Sequence, residues 1–174
     1  MKIILILFIS ILSLTAEAFA HGPTRQKVVE KIIIQAPIEK VWDTVKDFQD
    51  MSWHPAVAST SGEGGSTIGA SRTLTLKPGA TIVEHLEKYL PADHKFFYRI
   101  VEVDTAVVPI NNYSAWFMLK ETAEGHTEVT WKGAFYRGYM NNDPPPELSD
   151  EAAIAAVTGI YVSGLNQLKK ILEE

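Results

Sequence analysis

From Ser149 to its last residue the chain reads as one long helix with a single apolar face, and that helix limits what the rest can build. Ile154, Val157, Tyr161, Leu165, Leu168 and Leu172 recur at helical spacing along it. Ser149 is a good N-cap. Asp150 and Glu151 stand in the first turn, where the helix dipole favours anions, and Lys169 and Lys170 stand in the last, where it favours cations. Such a stripe has to be buried against another element, and the sequence offers little other helix to meet it.

What it offers is sheet. "KVVEKIIIQ" (27–35) is β-branched with polar ends and predicts a first strand. Pro37 suits the first turn of a short helix, and Ile38, Val41, Trp42, Val45 and Phe48 carry its apolar face to about Phe48. Strand-like runs separated by glycines follow in "STSGEGGSTIGASRTLTL", and "LKPGAT" is a turn with Pro78-Gly79 at its tip. "TIVEHLEKYL", "KFFYRIVEV", "YSAWFMLKE" and "TEVTWKGAFY" are each strand-length, joined through "PADHK" and "TAEGH". "NNDPPPEL" is a stiff break before the long helix. Strand, short helix, about six antiparallel strands and a long helix make an α+β layer arrangement. A strongly curved antiparallel sheet wrapped around the terminal helix leaves a gap between the two, where a small molecule fits.

The beginning of the chain predicts export. "MKIILILFISILSLTAEAFA" has Lys2, an apolar run to about Leu14 and a small-x-small close at Ala18-Phe19-Ala20, the pattern of a cleaved signal peptide over residues 1–20. The run is short for a membrane span. Residues 21–174 then form a single domain, with no membrane attachment after cleavage. The net charge is −5, with no basic patch of the kind that binds nucleic acid. The chain has no cysteine, so it has no disulfide, no thiolate metal site and no lipid anchor on a cysteine. An exported, acidic, unlipidated domain points to a bacterial periplasm.

Six words in order, "APIEKVWDTVKDFQDMSWHPAV", "GGSTIGASRTLTL", "IVEHLEKY", "INNYSAWFML", "TEVTWKGAF" and "GIYVSGLNQLKKIL", resemble the polyketide-cyclase/dehydrase-like branch of the SRPBCC superfamily. These are the START-like, birch-pollen-allergen-like helix-grip proteins, and the resemblance runs from about Lys27 to Leu172. It implies the helix-grip fold and a hydrophobic cavity. The expected mature start, "HGPTRQKVVEKI", is similar to the MxaD-type family of periplasmic accessory proteins of methanol oxidation. That likeness implies methanol dehydrogenase and its cytochrome c as partners, and no cofactor.

Candidate site residues follow from this frame. "MSWHPAV" (51–57) would lie at the rim of the cavity, where His54 offers either a hydrogen bond to a ligand or a general base titrating near neutrality. Packing alone also accounts for the segment, with Trp53 as a buried anchor and Pro55 fixing the exit. If Leu76 pairs with Ala80, Arg72 falls opposite Glu84, either as an ordinary cross-strand ion pair or, pointing inward, as the polar handles of the cavity. Tyr98, Tyr113, Trp131 and Tyr161 either line a pocket for a ring or acyl chain or fill the core. No triad or paired-carboxylate motif stands out, and His85 and His94 are expected on the surface. His21 would become the N-terminal residue, whose α-amine and ring nitrogen together can chelate Cu(II). Three functions remain open on these residues: a non-catalytic accessory, a carrier of a small hydrophobic ligand, and a cyclase-like enzyme using His54, Arg72 and Glu84.

Overall fold

The computed structural model describes residues 22–77 and 79–174; the expected signal peptide, His21 and Pro78 lie outside them. The elements run β1 (Gln26–Ile34), α1 (Ile38–Val45), β2 (Val57–Glu63), β3 (Ser71–Leu76), β4 (Thr81–Leu90), β5 (Lys95–Val103), β6 (Ile110–Glu121), β7 (Thr127–Arg137) and α2 (Asp150–Glu173). The seven strands form one antiparallel sheet in the order β1-β7-β6-β5-β4-β3-β2. The first and last strands are neighbours because α1 and the segment after it carry the chain from β1 to the opposite edge. From there every strand pairs with the next in sequence.

β7 shows why the sheet has one wet and one dry face. Thr127, Val129, Trp131, Gly133, Phe135 and Arg137 are buried and the residues between them are not, the period of two expected of a strand packed on one side. Register shifts in β4 and near the start of β6 mark irregularities of the kind that bend a sheet, and Asn112 at the second of these takes a left-handed backbone conformation. The bent sheet grips α2, which buries Ala153, Val157, Tyr161, Gly164, Leu165, Leu168 and Leu172 against it. Ser149 caps α2, with Ala152 N–H donating to its Oγ at 3.2 Å. The far end of α2 is tied by Lys40 Nζ donating to Leu172 O and Lys169 Nζ donating to Ile33 O. Among the described residues no helix is long and apolar enough to cross a membrane.

Three details differ from the sequence expectation. Ile154 is 37% exposed, because the adjacent Ala153 takes the inward position at the start of the stripe. Pro37 is the N-cap, its ψ of 147° being extended and not helical. α1 stops at Val45, short of Phe48, whose N–H donates to Ser66 Oγ and whose carbonyl is held by Arg72.

Candidate functional site

The segment Met51–Ala56 crosses from α1 to β2 in two tight turns, with His54 N–H donating to Met51 O and Val57 N–H donating to His54 O. The turns drive both aromatic side chains inward. Trp53 is 4% exposed and packs against Phe117 and Trp131, with ring centroids 5.8 and 6.0 Å away. Its Nε1 is enclosed without a hydrogen-bond partner among the described residues.

His54 does not sit at a rim. It is 2% exposed, and both ring nitrogens are committed to backbone. Ala56 N–H donates to Nδ1 at 3.2 Å, which leaves Nε2 to carry the proton and donate to Ile160 O at 3.0 Å. Burial holds the imidazole below its ordinary pKa; the bond to Ile160 O opposes this, and the charge of Arg72 adds to it. The ring reaches the carbonyl because residue 164 of α2 is glycine. A Cβ there would stand 2.4 Å from His54 Cδ2 and 2.7 Å from Nε2.

Arg72 and Glu84 are register partners on β3 and β4, set by the turn in which Leu76 N–H donates to Ala80 O. Both point inward. Arg72 Nε donates to Glu84 Oε2 at 2.6 Å and Nη1 donates to Phe48 O at 2.6 Å, while the guanidinium lies 4.1 Å from the centroid of the Phe48 ring. Burial pushes the Glu84 carboxyl up from its ordinary range, and the charge and hydrogen bond of Arg72 oppose that shift. Paired at this distance, the two groups enter the interior as a neutral unit.

Four aromatic groups form a hydrogen-bonded chain beside this pair. Trp131 Nε1 donates to Tyr98 Oη at 2.9 Å; Tyr98 and Tyr113 share a bond of 3.2 Å, and Tyr113 and Tyr161 one of 2.5 Å. Trp131 and Tyr161 also stack, with centroids 4.4 Å apart. Burial pushes all three phenols above their ordinary pKa, so they remain protonated. Gly133 makes room for the chain, since a Cβ there would stand 2.1 Å from Tyr161 Oη.

These groups surround a cavity of about 70 Å³ between sheet and helix. His54, Glu84, Tyr98, Tyr113, Trp131 and Tyr161 line it; Trp53 and Arg72 lie behind it and do not. Met51 and Val157 of the apolar wall stand in segments the sequence pointed to, while Leu74, Ile82 and Val108 were not singled out from it. Nor were Gly133 and Gly164, although a glycine inside a strand or helix is itself a sign of close approach. His85 and His94 are half-buried rather than fully on the surface, and neither lines the cavity; His94 bonds to Glu39. Among the described residues no cluster of three or more metal-ligating side chains is present.

The sequence pattern of the family described as polyketide cyclase / dehydrase and lipid transport matches residues 25–173. Among solved structures, XoxI from Bacillus cereus is 28% identical, covering 85% of this chain and 96% of its own, with a TM-score of 0.72. A protein from Nitrosospira multiformis is 26% identical, covering 84% of this chain and 96% of its own, with a TM-score of 0.69. Norcoclaurine synthase from Thalictrum flavum is 12% identical with a TM-score of 0.66, covering 87% of this chain and 88% of its own, a likeness of fold alone. No curated protein matches the chain.

Proposed function

We propose that this chain, which belongs to the polyketide cyclase / dehydrase and lipid transport family, acts without catalysis as a periplasmic accessory that binds protein partners. The observation that carries the non-catalytic part of this reading is the state of His54. A general base needs a nitrogen lone pair within reach of its substrate. Here Nδ1 already accepts from Ala56 and Nε2 spends its proton on Ile160 O. Arg72, the second residue of the cyclase-like reading, lies behind the cavity wall and is consumed by Glu84 and Phe48. The constellation of His54, Arg72 and Glu84 supports structure better than bond-making.

The partners we infer are methanol dehydrogenase and its cytochrome c, on the strength of the "HGPT" start and the export signal. The test is genetic. In a deletion strain, dye-linked methanol oxidation stays at the parental level while cytochrome-linked oxidation falls, and added purified protein restores it. Unchanged coupling to the cytochrome refutes the assignment.

A second reading, binding of a small ligand between sheet and helix, is favoured by the cavity itself. Its volume of about 70 Å³ is well below the roughly 300–1,000 Å³ of sites for drug-sized molecules. An occupant is therefore small, and a long acyl chain or fused ring is excluded without rearrangement.

A further inference from the structure

The polar atoms around the cavity do not balance among themselves. Tyr98, Tyr113 and Tyr161 carry one hydroxyl hydrogen each, and two O···O contacts join the three. The Trp131 indole adds a donor to Tyr98 and no acceptor. Whichever way the bonds run, one hydroxyl hydrogen has no acceptor among the described residues. If they run from Tyr98 the spare hydrogen is on Tyr161, if from Tyr161 it is on Tyr98, and if both point at Tyr113 it is on Tyr113. All three side chains line the cavity.

Glu84 presents the opposite deficit. Arg72 Nε holds Oε2, and Nη1 is spent on Phe48 O, so the pair is not the two-pronged one that would occupy both carboxylate oxygens. Oε1 accepts no hydrogen bond among the described residues, although Glu84 is 4% exposed and lines the same cavity. No hydrogen bond joins Glu84 to any of the tyrosines. Side chains around one cavity thus hold an unused donor and an unused acceptor, each of which is costly to leave unmade.

We propose that the cavity selects a small neutral molecule whose polar group both donates and accepts, a short primary alcohol or carboxamide. Its N–H or O–H meets Glu84 Oε1, its oxygen takes the spare tyrosine hydrogen, and its apolar end lies against Leu74, Ile82, Val108 and Val157. This rests on the ligand-binding reading and gives it a chemical class. Charge excludes the alternatives. A carboxylate would meet Glu84 directly, and an ammonium would leave the buried Arg72–Glu84 pair with an unbalanced positive charge. Size excludes larger members, because a dry cavity of about 150 Å³ is needed for a benzene ring. Water has the same donor and acceptor and is the natural competitor, but it leaves the apolar wall without a partner.

The experiment is a methyl and indole NMR titration of the whole purified protein, read at Leu74, Ile82, Val157 and the Trp131 indole N–H. Four probes with the same number of heavy atoms are used: 1-propanol, acetamide, ethyl methyl ether and acetate. The alcohol and the amide are expected to give saturable shifts at all four positions. The ether, which accepts but does not donate, binds roughly tenfold more weakly or worse, and acetate gives no saturable shift. Equal binding of ether and alcohol overturns the selectivity while leaving ligand binding in place. Saturation by none of the four overturns both and makes the cavity a water site only.

Discussion

Substituting Gly164 by alanine tests whether His54 is clamped to α2 as the geometry requires. In the middle of a helix this change normally stabilises by about 0.5–1 kcal/mol, through the lower entropy of the unfolded chain. Here the added Cβ stands 2.4 Å from His54 Cδ2, 2.7 Å from Nε2 and 3.1 Å from Trp131 Cζ3. The imidazole cannot swing aside cheaply, because Nδ1 and Nε2 are both bonded to backbone and the ring packs between Trp53 and Trp131. Forcing a methyl group into a filled core costs about 1–3 kcal/mol. Breaking the bond to Ile160 O strands a buried donor at about 1–3 kcal/mol more. After the helix-propensity gain is subtracted, a net loss of about 1–5 kcal/mol remains. For a domain of this length that lowers Tm by roughly 2–4 °C per kcal/mol. Gly159 is the internal control: it is on the same helix and exposed, and a Cβ there meets nothing within 4 Å. Gly159→Ala should raise stability by about 0.5–1 kcal/mol. Urea unfolding followed by tryptophan fluorescence measures both. A Gly164→Ala protein as stable as Gly159→Ala would refute the clamp.

Two other perturbations have worked-out directions. Arg72→Met leaves the Glu84 carboxylate buried without its cation and should cost about 3–5 kcal/mol; Arg72→Met with Glu84→Leu should recover most of that in the same unfolding assay, and a double variant no better than the single one refutes the pair. His54 is held neutral with its pKa below the ordinary 6.5, so as pH falls the unfolded chain binds the proton first and the folded state loses ground. Stability is then complete above about pH 6.5 and declines below it; the slope should be shallower in His54→Gln, and an unchanged slope refutes the assignment to this ring.

Much of the fold was legible because it rests on local chemistry. Ser149 followed by Asp150 and Glu151 predicts a capped helix, and Ser149 Oγ does accept from Ala152 N–H. The turn at Leu76–Ala80 set the register that places Arg72 opposite Glu84. What stayed hidden was depth. Alternation along a strand says which face a residue occupies and not how far the opposing layer lies from it. Tyr98, Tyr113 and Trp131 were therefore readable as inward and a gap beside them was expected, while its size, about 70 Å³, was not. Depth also separates Trp53 from His54: both are buried, and only the histidine touches the cavity. The rim position expected of His54 failed because Gly164 lets the ring sit flush against α2, a contact more than a hundred residues away in sequence. The missing side chain at Gly164 carried the only trace of it.

The placement of these polar ties also decides where the grip can open. From Ile160 onward α2 is fastened at several points: Tyr161 to Tyr113, Ile160 O to His54, Leu172 O to Lys40, and Lys169 to Ile33 O. With no cystine anywhere in the chain, such bonds and the apolar stripe hold the helix. Its first two turns have fewer: Ser149 caps them, Asp150 pairs with Arg137, and Ile154 already stands exposed. One cavity-lining residue, Val157, stands in those two turns. Loosening these two turns leaves the tyrosine chain and the His54 clamp intact, since both attach to α2 further along. Opening from Ile160 onward would instead break the bonds of the buried His54 and Tyr113 to the helix and strand their donors.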